Sequence, residues 1–419
     1  MFFERKQSNI LRQRFRESPT FMIVIAGPRQ VGKTTLVRQA LADQPAKYVA
    51  ADQPLPDATD PLASPFAETA LATQIIPGAQ PTAEWLAQQW MQARARAKML
   101  PREERFVLAI DEIQKIPRWS EVVKGLWDAD RAEDLDMHVV LLGSSPWLMQ
   151  KGLTESLAGR YELIHMNHWS YPEMQDAFDF SLDEYLYFGG YPGSARLIRE
   201  ERRWREYVRG ALIHPNIEKD ILQMTRVDKP ALLKNLFELG CAYSGQIVSY
   251  TKLLGQLQDA GNTVTLAHYL DLLSRAGLLA GLSKYAGQKH RQRASSPKLN
   301  ALNTALISAV TGYNFAEARA DRSYWGRLVK SAVGAHLYNT ASDNCRVYYW
   351  RESPNEVDFV LTDGRRLAAI EVKSGATFAA PKGLGAFAEK FKQARQIVVG
   401  EGGIPLAELM SRPTEDWLE

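Results

Sequence analysis

FMIVIAGPRQVGKTTLVRQALA, residues 21–42, decides the fold of the first part of the chain. An apolar run, Phe21 to Ala26, leads into Gly27, Pro28, Arg29, Gln30, Val31, Gly32, Lys33 and Thr34, and then into the helical stretch Thr35 to Ala42. The middle eight residues fit G-x-x-x-x-G-K-[ST], between the strand and the helix that a phosphate-cradling loop requires. Gly27 and Gly32 permit backbone angles that a side chain would obstruct. Successive N–H groups can then point at an anion from the positive end of a helix. The cofactor-binding run therefore extends from Gly27 to Thr35. Lys33 is expected to reach the β and γ phosphates of ATP, and Thr34 to supply a hydroxyl to Mg2+.

Such a loop needs an acidic partner. Phe106 to Ile110 form a buried-strand run ending in Asp111 and Glu112, at the carboxyl edge of a strand, where α/β sheets bind their ligands. Asp111 is expected to hold the Mg2+ shell through water, and Glu112 to polarise the attacking water. The plainer alternative makes the two acids a helix N-cap and its first-turn neighbour; their pairing with the loop favours the catalytic reading. The strand Val139 to Leu142 ends in Gly143, Ser144 and Ser145, so Ser144 or Ser145 is a sensor candidate between Glu112 and the γ-phosphate, against an ordinary turn. Strands at Phe21–Ala26, Lys47–Ala51, Arg105–Ile110 and His138–Leu142, alternating with helical stretches, predict an α/β domain with a parallel sheet. The Pro- and Ala-rich stretch 52–80 reads as a surface insertion or loop.

At 419 residues the chain suits two or three domains. Apolar residues at 45% and charged residues at 24% exclude global disorder. The 51 basic and 48 acidic residues give +3, so any DNA surface must be local. Cys241 and Cys345 are too few for a disulfide framework or a cysteine zinc site. The basic N-terminus lacks a secretory h-region, and no apolar run approaches the ~20 residues of a membrane span. The expected location is cytoplasmic.

GPRQVGKTT, IDEIQKIPRW, LLGSS and SLAGRYE together resemble the AAA-like P-loop ATPases of bacteria and archaea that are fused to a C-terminal domain of unknown function. The resemblance spans nearly the whole chain. It implies that Arg160 acts in a nucleotide site, within its own chain or across to a neighbour, and that Glu173 closes the ATPase core. A structural ion pair is the competing role for Arg160. The expected division is an ATPase domain at 1–175, a helical region with a winged-helix-like module at 176–295, and a nuclease-like domain at 296–419.

Helices at Ala231–Tyr243, Ser249–Ala260 and Thr265–Ala276, followed by a strand at Leu278–Leu282 and a wing, resemble a winged helix-turn-helix. The third helix is expected to present Thr265, His268 and Tyr269 outward, with Arg275 near its end. Lys284, Lys289, His290, Arg291 and Arg293 would lie in the wing and meet DNA phosphates. A packing platform for protein contacts is the alternative, since the third helix is not markedly basic.

In the last part, the helix Tyr324–Tyr338 precedes strands at Arg346–Trp350, Glu356–Leu361, Arg366–Val372 and Gln396–Val399. The layout resembles the PD-(D/E)xK nuclease core, with Asp358 and Glu371 on one face sharing a divalent metal and Lys373 beside Glu371. Lys330 stands where relatives usually offer a glutamate, with Glu352 or Glu356 as substitutes, and a structural ion-pair cluster is the favoured reading. The chain as a whole reads as an ATP-driven switch on a DNA or protein partner, with oligomerisation open. The alternatives are an ATP-bound adaptor that does not hydrolyse and an ATPase-linked DNA nuclease.

Overall fold

The computed structural model describes residues 3–52, 81–101, 103–143, 153, 156–221, 227–257, 261–286, 295–373 and 382–419. The chain forms two compact units, Met1–Met166 and Asn167–Glu419.

The first unit runs α1 (Lys6–Arg16), β1 (Met22–Ala26), α2 (Lys33–Leu41), β2 (Ala46–Ala50), α3 (Ala83–Ala97), β3 (Phe106–Asp111), α4 (Trp119–Ala132), β4 (Met137–Gly143) and β5 (Tyr161–His165). The five strands are parallel, in the order β2-β3-β4-β1-β5. Side chains alternate between the two faces of the sheet. Val24, Leu108, Ile110, Val139 and Leu141 pack with Leu86, Trp90, Val123 and Trp127 of α3 and α4. Ile23, Ile25, Val107, Ala109, Val140 and Leu142 pack with Leu11 and Phe15 of α1 and Leu36 and Val37 of α2. Being covered on both sides, β3 and β4 are buried along their whole length, and such strands read as continuous apolar runs. The four expected strands are present. The fifth, β5, was not expected; it is an edge strand in which Ile164 alone is buried.

The second unit begins with α5 (Tyr171–Phe178), α6 (Leu182–Phe188) and α7 (Glu201–Tyr207). The helical path of α7 continues through π-helical turns at Val208–Ile213 and Asn216–Ile221. Then come α8 (Pro230–Ala242), α9 (Tyr250–Gln256), α10 (Thr263–Arg275) and an antiparallel pair, β6 (Leu279–Leu282) with β7 (Lys298–Ala301). Three further helices follow: α11 (Thr304–Val310), α12 (Phe315–Ala320) and α13 (Arg322–Thr340). Last are β8 (Arg346–Glu352), β9 (Asn355–Thr362), β10 (Leu367–Lys373), α14 (Lys382–Lys390), β11 (Arg395–Gly400) and α15 (Leu406–Ser411). The second sheet has the order β11-β10-β9-β8, antiparallel except for β10 with β11. Three helices and the strand after them thus stand in the expected order, and that strand pairs with β7, which was not expected.

Two expectations change. Tyr269 does not face outward: it is buried, and its hydroxyl accepts from the Lys229 N–H at 3.1 Å. His268 is exposed and Thr265 half-exposed, and Arg275 pairs with Asp271 at 2.8 Å on its own helix. The segment after β6 is also tied down. Tyr349 N–H donates to Ser283 O at 3.1 Å and Tyr285 N–H to Tyr349 O at 2.6 Å, while the Tyr285 ring packs against Tyr348, Phe387 and Phe391. The start of the expected wing therefore covers the free edge of β8, satisfying backbone groups that an open edge would leave unpaired. Lys289, His290, Arg291 and Arg293 lie outside the described residues.

Candidate nucleotide site

The loop expected to bind phosphate joins the carboxyl end of β1 to the first turn of α2. Its two glycines are required for different reasons. Met166 N–H donates to Ala26 O at 2.9 Å, which brings the chain beyond β5 hard against the loop. A Cβ at Gly27 would lie 1.9 Å from Met166 O. Gly32 has open space around it but sits at φ 89°, in the left-handed region. Gln30 takes a similar conformation, φ 62°. The Lys33 ammonium is buried and spans the loop, donating to Gly27 O at 2.9 Å and Pro28 O at 2.7 Å.

Thr34 and Asp111, 77 residues apart in sequence, meet directly. The Thr34 hydroxyl donates to Asp111 Oδ2 at 2.7 Å. The same oxygen accepts from the Tyr48 hydroxyl at 2.5 Å, and Asp111 Oδ1 accepts from Glu112 N–H at 2.8 Å. Tyr48 is a residue beside Asp111 that sequence reasoning missed; its only signal was a hydroxyl-bearing aromatic in the middle of the strand beside β3. Burial and the neighbouring Asp111 charge hold the Tyr48 hydroxyl far above its ordinary pKa, so it remains a donor. The Arg38 guanidinium lies 4.8 Å from the centre of its ring.

Glu112 leaves β3 through a left-handed residue, φ 52°, and accepts from Gln114 Nε2 at 2.5 Å. The acid is thereby turned off the strand axis and oriented. β4 pairs with both β1 and β3, with Gly143 opposite Ala26, so the carboxyl end of β4 lies between the end of β1 and the end of β3. Ser144 and Ser145 lie outside the described residues. Thr35 occupies the exposed first turn of α2.

The donor set fits Mg2+, which takes hard oxygens and relies on substrate phosphates and water for most of its shell. Thr34 and Asp111 supply a hydroxyl and a carboxylate side by side. Among the described residues no group of three or more His, Cys, Asp or Glu is placed to hold a metal.

Arg160 is not part of its own chain's loop region. Its guanidinium makes a two-point ion pair with Asp128, Nε–Oδ1 2.7 Å and Nη2–Oδ2 3.0 Å. Its carbonyl accepts from Met22, the first residue of β1. The loop follows the last residue of β1, and a five-residue strand puts roughly 15 Å between the two ends, beyond one arginine side chain. In this structure Arg160 is engaged in that ion pair. Glu173 caps α5, accepting from Ser170 N–H at 2.8 Å and the Ser170 hydroxyl at 3.0 Å, and lies in the second unit.

Asp358 lies on β9 and Glu371 and Lys373 on β10, adjacent antiparallel strands in which Phe359 pairs with Ile370. Asp358, however, is held by two lysines. Lys298 Nζ contacts Oδ1 at 3.0 Å and Lys330 Nζ contacts Oδ2 at 2.8 Å, while Val372 N–H donates to Oδ2 at 3.0 Å. Lys373 pairs with Glu371 at 2.8 Å. Burial works to raise the Asp358 pKa, but Lys298 and Lys330 outweigh it and bring it down to about 2. Glu371 shifts upward, through burial and then the Asp358 charge. Lys298, wholly buried on β7, was missed in the sequence. Asp358 and Glu371, the two acids expected to share a metal, thus each face ammonium groups. Glu352 pairs with Lys390, and Glu356 lies 3.9 Å from Lys298, so neither completes a metal shell.

The β2-β3-β4-β1-β5 sheet, with its loop after β1 and acids after β3, agrees with comparison to known families. Residues 20–175 match an AAA domain. Two domains of unknown function follow, DUF8612 at 179–317 and DUF4143 at 325–408. Uncharacterized proteins of Mycobacterium tuberculosis and Mycobacterium bovis are each 26% identical over 415 residues, covering 97% of this chain and 83% of theirs. Among solved structures, a Walker-type ATPase of Pyrococcus abyssi superposes with a TM-score of 0.50 at 14% identity, over 74% of this chain and 96% of that one. The first unit therefore has the AAA-type P-loop ATPase fold. No helix among the described residues is long and apolar enough to cross a membrane.

Proposed function

We propose that the AAA domain binds ATP with Mg2+ and hydrolyses it, and that turnover switches how the second unit engages a partner. The observation that carries this is the 2.7 Å bond from Thr34 to Asp111, which joins the loop to the acidic strand with the two metal-facing groups already in place. On binding, the Lys33 ammonium exchanges the Gly27 and Pro28 carbonyls for phosphate oxygens, a stronger, charge-assisted pairing. Mg2+ would neutralise developing phosphate charge, held by Thr34 and, through water, by Asp111. Glu112, oriented by Gln114, accepts a hydrogen bond from the attacking water and directs it. Arg160 takes part in catalysis only if a second copy of the chain brings it to a neighbour's nucleotide.

Purified protein should hydrolyse ATP with Mg2+. Lys33→Ala should lose nucleotide binding, and Glu112→Gln should keep binding while turnover stops. Tight ATP binding by Lys33→Ala would refute the assignment. Intact ATP recovered from wild-type protein after hours, with partner affinity still changed by nucleotide, would establish the non-hydrolysing adaptor instead.

For the partner, protein and duplex DNA are both proposals. The order α8–α9–α10–β6–β7 supports a winged-helix reading and so a DNA contact. The exposed Val264, His268 and Asp271 on α10 form a mixed face that suits a protein. Cleavage of DNA is disfavoured by the lysine-held Asp358.

A further inference from the structure

We infer that Arg5 is a positioning residue for nucleotide binding: buried on the N-terminal segment, it holds the Val31 carbonyl and thereby aims the Gly32 N–H toward the phosphates. The inference rests on the ATP reading above. Arg5 is 6% exposed, and its Nη1 donates to Val31 O at 3.2 Å from 26 residues away. Val31 and Gly32 share one peptide group. That group is planar and trans, so the direction of its C=O fixes the opposite direction of its N–H. A guanidinium on the carbonyl side anchors the plane. It also polarises the amide, since hydrogen bonds in series strengthen one another in a low-dielectric setting. Gly32 needs such anchoring, because a glycine at φ 89° has many conformations to lose.

The segment that carries Arg5 is itself fixed to the loop and its helix. Arg5 is the residue before α1, and Ser8 N–H donates to its carbonyl. Leu11 and Phe15 of α1 share a core with Val31, Leu36 and Val37. Arg12 donates to Gln39 O at 3.3 Å, and Gln39 donates to Phe3 O at 3.3 Å. Residues 3–16, which no nucleotide-binding pattern includes, thus form the outer wall of the loop.

The test measures affinity for a fluorescent ATP analogue by titration of the full chain in EDTA, alongside nucleotide-free melting. The proteins are wild type, Arg5→Met, Arg5→Lys and Leu11→Ala. Losing a charge-assisted bond should make Arg5→Met bind about ten-fold more weakly. Arg5→Lys, which can still donate to Val31 O, should recover part of that loss. Leu11→Ala loosens the same packing but leaves the Arg5 bond to Val31 O in place, and it should melt lower while binding within about two-fold of wild type. Undiminished affinity in Arg5→Met, or an equal loss in Leu11→Ala, overturns the inference. If Arg5→Met does not fold, Arg5→Gln takes its place with the same two criteria. Failure of wild type to bind the analogue refutes the ATP reading rather than the role of Arg5.

Discussion

Lys298 Nζ lies 3.0 Å from Asp358 Oδ1, with the lysine fully buried and the aspartate 3% exposed. Lys298 sits on β7 and Asp358 on β9, two different sheets of the second unit, so the pair ties the β6–β7 pair to the β11-β10-β9-β8 sheet. With Lys330 on the other carboxylate oxygen and Lys373 on Glu371, three ammonium groups face two acids. A divalent cation would enter a cluster that carries no negative excess.

Plasmid and linear duplex incubated with wild-type protein in Mg2+ or Mn2+ should therefore remain intact. Lys330→Glu should be silent as well, because Lys298 still holds Asp358. Robust cleavage by wild type, lost in Glu371→Ala, would reverse this reading and restore the nuclease hypothesis.

Lys298→Met removes one of two lysines from a buried carboxylate and leaves Lys330 and the Val372 N–H, so it should cost about 1.5–3 kcal/mol, the worth of a hydrogen bond to a charged group, in urea unfolding of the second unit. The pH dependence has a definite sign. Lys298 and Lys330 hold Asp358 below its ordinary pKa, so its contribution is fully present above the ordinary carboxylate range and lost as pH falls through the lowered value. In Lys298→Met that acid-side loss should move to higher pH. An unfolding profile with the same acid limb as wild type would contradict it.

Tyr48→Phe removes one of the three donors that hold Asp111. The ring and its packing remain, so the fold should be kept. The Mg2+ concentration for half-maximal ATPase should rise about five-fold, equivalent to about 1 kcal/mol for a lost hydrogen bond. Nucleotide affinity in EDTA should stay unchanged. A shift in EDTA affinity without a shift in Mg2+ requirement would show that Tyr48 serves the loop rather than Asp111.

The two loop glycines should respond differently to alanine. At Gly27 the new methyl meets a backbone oxygen at 1.9 Å, and the β5 end must move, costing about 3 kcal/mol or more. At Gly32 nothing is in the way, and the cost is the left-handed backbone of a non-glycine, about 1–2 kcal/mol. Chemical unfolding of the two variants would separate them, and equal losses would show that the Met166 contact yields.

If the second unit contacts DNA through its basic wing, duplex affinity should fall steeply with salt, and replacing Lys289, Arg291 and Arg293 together should flatten the slope by about three. Salt-insensitive or absent binding would favour the protein partner.

The amino-acid sequence by itself determined the loop at Gly27–Thr34, the acids Asp111 and Glu112, and four of the five strands of the AAA domain. Each depends on local chemistry: glycines where backbone must approach phosphate, continuous apolar runs where strands are covered on both faces, and acids at a strand's carboxyl end. The tertiary structure decided everything that depends on which distant surfaces meet. Helical spacing showed that α10 is amphipathic but not that Tyr269 turns inward to meet Lys229. A two-residue spacing placed Lys373 beside Glu371, but nothing local announces that Lys298, 60 residues from Asp358, completes the cluster. Arg160 carries a recognisable segment, yet its place at the start of β1, facing Asp128, follows from the pairing of an edge strand with little apolar pattern. Arg5 and Tyr48 reach the site from elements whose sequences hold no phosphate signature. Side-chain periodicity records which face of an element is apolar; only the packed chain selects the partner for each polar group that is buried with it.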